Sequence, residues 1–351
     1  MRKIVVFSAS GAVVLVAAAA VLRFAVLPGL AQVPADLDTT LHYTGTADVV
    51  DASALQSGNL AAAMRTGVPV TVEQRIKAVS TSGSTVVLSD DTTATAAGAT
   101  LLTAKHVWAV DRTSMAAAPA PAGSTAEQHQ GLVVGFPLSP AAKDYPYWDY
   151  PTQSTVTADY QRTEERGGTT TYVYVVHASG ALKDPAIQAG VPTALPKATL
   201  LALAATLPAA VQSGLAGQAA QLPDQIPLAY TATNDATFWV DSSTGYVVDV
   251  NQKQTVAAAI ALGPTSVPLA NVFALDVKFT PETVGAVADD AAAARSGLLL
   301  IGVVAPLVLL ALAVLLVLLA VWQWRRGRGN RAVASSSGAG SSVPVDASTG
   351  D

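Results

Sequence analysis

The run Leu298–Trp322, LLLIGVVAPLVLLALAVLLVLLAVW, holds 25 residues and no charge. At about 1.5 Å per residue, a helix of that length crosses a hydrocarbon layer of roughly 30 Å with room to tilt. Pro306 is tolerable there, because neighbouring groups in a membrane helix re-satisfy the backbone that a proline frees. Trp322 and Trp324 suit the interfacial belt, and Arg325, Arg326, Arg328 and Arg331 come directly after them. Such a basic cluster stays on the cytoplasmic side.

A second apolar run, Ile4–Leu22, is 19 residues long and sits behind Arg2 and Lys3. It reads as an uncleaved anchor or as a signal peptide with a small-x-small site at Gly29-Leu30-Ala31. Its length favours the anchor, with Arg23 snorkelling to the interface. Both readings export the central part of the chain. The expected organisation is an N-terminal transmembrane anchor over 1–26 and an extracytoplasmic β-rich domain over 27–296. A C-terminal transmembrane helix over 297–324 and a basic, then disordered, cytoplasmic tail over 325–351 complete it. The expected location is the cell membrane, two-pass, with both termini cytoplasmic and the central domain extracytoplasmic.

Charge and composition narrow the partners. Residues 27–296 carry 13 Lys/Arg against 23 Asp/Glu, about −10 in all. An acidic domain of that kind excludes nucleic acid and a polybasic docking surface for lipid headgroups. The chain has no cysteine, so disulfides, thiolate nucleophiles and Cys-based zinc sites are ruled out.

Within the exported part, VPVTVEQRIKAV (Val68–Val79) puts Val68, Val70, Val72 and Ile76 on one face and Thr71, Glu73, Arg75 and Lys77 on the other. That period of two describes a half-buried antiparallel strand. Ser84–Ser89, Lys105–Arg112, Gly131–Leu138 and Asn271–Phe279 read as further strands. Gly167-Gly168 marks one hairpin, and Phe238–Val250 folds as another across Ser-Ser-Thr-Gly. Between them, Pro196–Ala220 repeats Leu203, Leu207, Val211 and Leu215 at helical spacing. It reads as a helix capping the sheet or as a lid over a groove. The fold class expected is two transmembrane helices flanking an extracytoplasmic, mainly antiparallel β (α+β) ectodomain with a helical insertion.

Catalytic signatures do not emerge. There is no HExxH, GxSxG, SxxK, P-loop or GxGxxG after a strand. Glu127-x-His129 is two residues of a metal site and reads better as solvated loop. Asp90-Asp91, Glu164-Glu165 and Asp289-Asp290 read as turn, surface and linker charges, since adjacent strand residues point to opposite faces. The chain is therefore expected to be no enzyme and to use no cofactor or metal.

The aromatic residues do form a pattern. DYPYWDYP, Asp144–Pro151, packs four of the chain's 20 aromatic rings into eight residues. Trp108, Trp148 and Trp239 each sit within three residues of an acid that can accept from an indole N–H. Asp111 and Arg112 are placed to pair at a strand end. Trp108, Asp111, Arg112, Tyr145, Tyr147, Trp148, Asp149 and Trp239 are the candidate structural or ligand-facing residues, with Tyr145–Asp149 read as an aromatic clasp over the sheet's edge.

These motifs carry a resemblance. They are W-A-V-D-R-T at 108–113, H-Q-G-L at 129–132, Y-P-Y-W-D at 145–149, T-T-Y-V-Y at 170–174 and F-W-V-D-S-S-T-G at 238–245. With an N-terminal anchor and a C-terminal span ending in arginines, the chain resembles the actinobacterial two-span cell-envelope membrane protein family of unknown function often labelled "PorA family". The resemblance covers almost the whole chain and carries over no catalytic or binding residue. Two tethers and an aromatic sheet lead to an expected role in binding an envelope lipid or glycolipid, or in envelope assembly. A porin-type pore subunit, which the label implies, and a scaffold for other envelope proteins are the alternatives.

Overall fold

Among the described residues, eleven strands pair antiparallel, in the order β4-β3-β2-β1-β11-β10-β9-β7-β6-β5, with β8 beside β9. They are β1 (Asp38–Val50), β2 (Met64–Ser82), β3 (Thr85–Ala96), β4 (Ala99–Asp111), β5 (Tyr145–Asp149) and β6 (Ser154–Arg166). β7 (Thr169–Ala181), β8 (Ala194–Pro196), β9 (Gln225–Asp241), β10 (Val247–Leu262) and β11 (Thr265–Phe279) complete the set. This computed structural model describes residues 2–51, 54, 64–204, 212–213, 217, 222–262 and 265–336. The chain divides into a helical unit, Met1–Ala31 with Ser296–Asp351, and a sheet unit, Gln32–Arg295.

Alternation builds the sheet as the sequence predicts. On β2, Val70, Val72, Ile76 and Ala78 are buried, while Thr71, Glu73, Arg75 and Lys77 are exposed. Two-residue turns join β2 to β3, β3 to β4 and β6 to β7. At Gly167 and Gly168 φ is +59° and +75°, the left-handed pair that matches the twist of the flanking strands. Asn251, Lys253, Asp276 and Lys278, three of them charged, keep the outer face of the central strands polar and exposed.

The sheet curls, and its inner face forms the core. Val86, Leu88 and Trp108 from β3 and β4 share one cluster with Ala158, Tyr174, Val176 and Ala236 from β6, β7 and β9. Residues far apart in strand order therefore meet, as in a half-barrel. The edge strands are β4 and β5, and residues 112–144 run between them as a strap. Trp108 bridges Glu127, Val110 bridges Ala117, and Leu132 bridges Tyr147. The strap is thus stitched to both edges.

Gly131–Leu138 is a correction. It reads as a strand but folds as part of the strap, with Leu132, Val133 and Phe136 buried in the core cluster. Its apolar character comes from covering the inner face rather than from pairing. Gly131 has φ +102°, and a Cβ there would sit 2.6 Å from the Pro146 carbonyl oxygen, so only glycine lets the strap approach β5.

Residues Pro281–Leu299 are helical, so Asp289-Asp290 lies on a helix rather than in a linker. Arg295 ties that helix to the sheet by donating to Asp241 (3.1 Å) and Thr169. Of the predicted Pro196–Ala220 helix, Lys197–Ala204 is helical, and most of the remainder, with Leu207, Val211 and Leu215, lies outside the described residues. Leu200 is buried with Leu195, Ile226 and Ile260, which seats the start of that helix on β8, β9 and β10.

In the helical unit, Arg2–Val21 is an α-helix, with a π-helical turn at Leu22–Val26 and a short helix Leu27–Leu30 after it. A second π-turn at Leu300–Val304 leads into the helix Ala305–Ser336, and residues 337–351 lie outside the described part. Ala12–Leu30 and Pro281–Arg325 are long and apolar enough to cross a membrane. The two runs pack through small residues. Ala12, Ala19, Gly302, Ala313 and Ala320 are buried, whereas Val13, Phe24, Leu307 and Leu318 are exposed. Close backbone approach at alanine and glycine is how helices associate when their outer surface is in lipid.

Candidate functional site

The inner face of the curled sheet is apolar except for one row of polar side chains. It runs through His106 on β4, Asp90 on β3, Gln74 on β2, the Tyr43 hydroxyl on β1, Gln252 and Gln254 on β10, and Asn234 on β9. Register brings them to one level: Asp90 pairs with His106 and Gln254 with Asn234, while Leu41 pairs with Gln74. Around them stand Val72, Ile76, Ala94, Val250, Leu275 and Val277, and these residues, apart from Asn234, line a cavity of about 160 Å³. Three pieces that are not strands complete its wall: Val133–Phe136 of the strap, Tyr150 with Pro151 in the turn after β5, and Asp184 with Ile187.

Most of this row is hydrogen-bonded to itself. The Tyr43 hydroxyl donates to Gln74 Oε1 (2.6 Å), and Gln74 Nε2 donates to Asp90 Oδ1 (2.9 Å). Gln252 Nε2 donates to Asn234 Oδ1 (3.0 Å), whose amide donates to Asp149 Oδ1 (2.8 Å). His106 holds two carboxylates, Glu127 through Nδ1 (3.1 Å) and Asp184 through Nε2 (3.3 Å). Gln254 is the exception. Its residue is 7% exposed, and its amide nitrogen has no partner among the described residues.

The electrostatics arise from burial and pairing. Burial opposes protonation of His106, but the Asp184 and Glu127 carboxylates outweigh it and raise its pKa to about 9. At Asp184 burial acts upward, yet its hydrogen bond to His106 and the backbone N–H groups of Ala186 and Ile187 hold it below the usual carboxylate range. Asp90 goes the other way. Burial, only partly offset by the Gln74 amide and His106, pushes it up to about 6. Burial likewise raises the hydroxyls of Tyr43, Tyr147 and Tyr150, so they act as neutral donors.

The residues singled out from sequence split into three places. Tyr147 lines the cavity beside Phe238, ring centroids 5.5 Å apart. Asp149 is wholly buried one step behind it, accepting from Asn234, from the Thr152 amide (3.0 Å) and from the Thr152 hydroxyl. Tyr145 and Trp148 pack against the main core, and the Tyr145 hydroxyl accepts from the Ala141 amide (2.8 Å). Residues Tyr145–Asp149 are therefore the edge strand itself, not a clasp laid over an edge. Pro146 fits that position because an edge strand can spare a donor.

Trp108 is buried between His106 and His129, its ring stacked on His106 at 5.3 Å. Its indole nitrogen has no partner among the described residues, so the expected acid acceptor is absent at this tryptophan. Trp239 does find one, but it is Glu164 (3.2 Å) on β6, with Arg166 over the ring at 4.8 Å. Asp111 and Arg112 do not pair. Asp111 accepts from the Ser114 and Thr113 amides to cap the turn after β4, which holds its carboxyl below the usual range. Arg112 instead donates to the Val33 carbonyl (2.8 Å) and anchors the chain entering the sheet.

Two further expectations are corrected. His129 is not a solvated loop residue: it is 9% exposed, and its ring nitrogens face the carbonyls of Gly131 (3.1 Å) and Ala109 (3.2 Å). Asp90 is not a surface charge but 3% exposed. Asp91, its neighbour, points outward to Lys105 (3.5 Å), as the strand's alternation requires. Among the described residues no group of His, Asp and Glu is arranged to hold a metal ion. Sequence reasoning misses the polar row itself, although a signal for it exists. Gln74 interrupts Val70, Val72 and Ile76, and Asp90 succeeds Val86 and Leu88 on the same face.

An antiparallel half-barrel around a partly polar cavity, with two helices among the described residues long and apolar enough to span a bilayer, defines a membrane-compatible β-sheet protein with an internal cavity. The chain belongs to the family described as Porin PorA, whose model matches residues 5–322. No curated protein matches it at a significant level.

Proposed function

We propose that the chain is a two-pass cell-envelope membrane protein with both termini in the cytoplasm and the sheet unit outside it, where the cavity takes up part of an amphipathic envelope lipid or glycolipid without catalysing a reaction. The observation that carries the reading is the row of polar side chains in an otherwise apolar, buried face, lining a cavity in which one amide donor is unused. A face needed only for packing is served by apolar side chains, and the unpartnered Gln254 amide in particular costs stability. The exposed apolar helices and the arginines after Trp324 support the membrane and its orientation. The charged outer face of the sheet suits water rather than lipid, because a lipid-facing barrel needs an apolar band.

Mass spectrometry of the full chain, purified in mild detergent, tests the ligand: a stoichiometric amphiphile is expected, and ligand-free protein that accepts none defeats the reading. The absence of native cysteine makes topology testable. Single cysteines at 130 and 340 should be labelled by an impermeant maleimide from outside and inside respectively, and the reverse pattern overturns the orientation.

A second reading, a pore subunit, draws on the family match. It needs the helices of several copies to assemble around a conduit. Planar-bilayer recordings decide it: unitary conductance supports a pore, and silence at all protein concentrations removes it.

A further inference from the structure

Three buried side-chain nitrogens lack a partner among the described residues: Trp108 Nε1, Gln254 Nε2 and Arg295 Nε. Only Gln254 lines the cavity. Neither strand neighbour partners it: Leu275 across β11 has an apolar side chain, and Asn234 across β9 bonds Gln252 and Asp149 instead. The amide is thus an unsatisfied donor on a residue that lines the cavity.

Size and charge restrict what can accept it. The cavity of about 160 Å³ matches the roughly 150 Å³ of an apolar cavity that admits benzene, so it takes a six-membered ring and not a long chain. Tyr147, Phe136 and Phe238 supply aromatic wall for such a ring. Asp90 lines the same space and presents a carboxylate. It repels an anionic ligand and favours a group that can donate. A hydroxyl both donates and accepts, which serves Asp90 and Gln254 together.

We propose that the cavity binds a neutral six-membered ring bearing hydroxyl groups, with Gln254 donating to a ring oxygen and the aromatic side chains covering its apolar edges. This rests on the reading of the cavity as an amphiphile site and makes the ring, not the acyl chain, the part that enters. The chemistry is shared by a free cyclic polyol or sugar and by the glycosyl headgroup of a lipid.

The test uses the full chain in an amine-oxide detergent and ligand-observed NMR. Cyclohexanol is compared with its near-isostere methylcyclohexane and with cyclohexanecarboxylate. Wild type should prefer cyclohexanol by about tenfold, and Gln254→Met should cut that preference several-fold, leaving the share that Asp90 contributes, while keeping methylcyclohexane binding. Asp90→Asn should admit the carboxylate, and it serves if Gln254→Met fails to fold. Methyl glucoside against octyl glucoside then separates free sugar from lipid-borne ring. Equal binding of the alcohol and the hydrocarbon by wild type, or a preference undiminished in Gln254→Met, overturns the proposal while leaving an amphiphile site intact. If no ring binds, the proposal falls, and the amphiphile reading then rests on the mass-spectrometric test alone.

Discussion

His106 on β4 reaches Asp184, 3.3 Å away, and Asp184 in turn caps the short helix Pro185–Ala189 by accepting from the Ala186 amide (2.7 Å). Glu127 of the strap holds the other ring nitrogen. One imidazole therefore joins an edge strand, the strap and the connection after β7.

That junction makes stability depend on pH in the alkaline range. The His106 pKa is raised from 6.5 to about 9 in the folded protein, so its contribution is complete below about 6.5 and is lost as pH rises through about 9. Allowing for solvent screening on the Glu127 side, the contribution is about 2 kcal/mol. The melting temperature of wild type should fall between pH 7 and 10, and His106→Gln should be less stable at pH 7 and nearly flat over that interval. Parallel curves for the two proteins would refute the assignment.

Asp90 carries the opposite sign. Its folded pKa of about 6 lies above the ordinary 3.8, so the folded state holds the proton more tightly and is stabilised as pH falls from about 6 to about 4. At neutral pH the ionised carboxylate costs about 2–3 kcal/mol. Asp90→Asn, which keeps an acceptor for Gln74, should be more stable than wild type at pH 7 by up to that amount and equal to it near pH 4. Denaturant titrations at the two pH values measure the difference, and a variant less stable than wild type at pH 7 counts against a buried, unpaired charge.

Asp149 is wholly buried and gathers donors from Asn234 and Thr152. Asp149→Ala strands those donors in a dry interior, and a loss of about 3–5 kcal/mol is expected. Asn234→Ala should cost less, since it frees one acceptor bond and cuts Gln252 loose. Thermal unfolding of both single variants and the double should show strong non-additivity, because they share one network.

Gly131→Ala places a methyl group against the Pro146 carbonyl at a backbone angle that disfavours any side chain. The expected result is detachment of the strap from β5 rather than global unfolding. Hydrogen exchange should accelerate at the Leu132 and Trp148 amides, which donate to Pro146 and Leu132 respectively, and remain slow in β9 and β10. Unchanged exchange at Leu132 would show that the strap is held by other means.

How far this architecture could be read from sequence depends on range. The helices announce themselves through long uncharged runs, and strands such as β2 through period-two alternation, because both patterns are local. The strap's Gly131–Leu138 misleads, since an apolar run records burial but not whether the backbone finds a partner strand. Asp90 and His129 look like surface groups because nothing nearby in sequence reveals that the sheet curls over them. The cavity is less legible still. Its wall combines β1, β10 and the strap: the pairing of Tyr43 with Phe279 and of Gln252 with Val277 brings the two strands together, and the bridges to β4 and β5 bring in the strap.

The meeting of β1 with β11 also governs how the protein can be made. Tyr43 pairs with Phe279, so the first strand waits for the last before its second edge is covered. Until then β1 to β4 form a meander whose β1 edge, from Tyr43 to Val49, is an open template for any other extended chain. Such non-local closure is slow relative to hairpin formation and leaves intermediates prone to aggregate. A nascent chain stalled before Thr265 would lack the whole strand that seals this edge. Biogenesis of the sheet therefore hinges on its final strand, and a peptide spanning Asn271–Phe279 is the natural competitor for its own assembly.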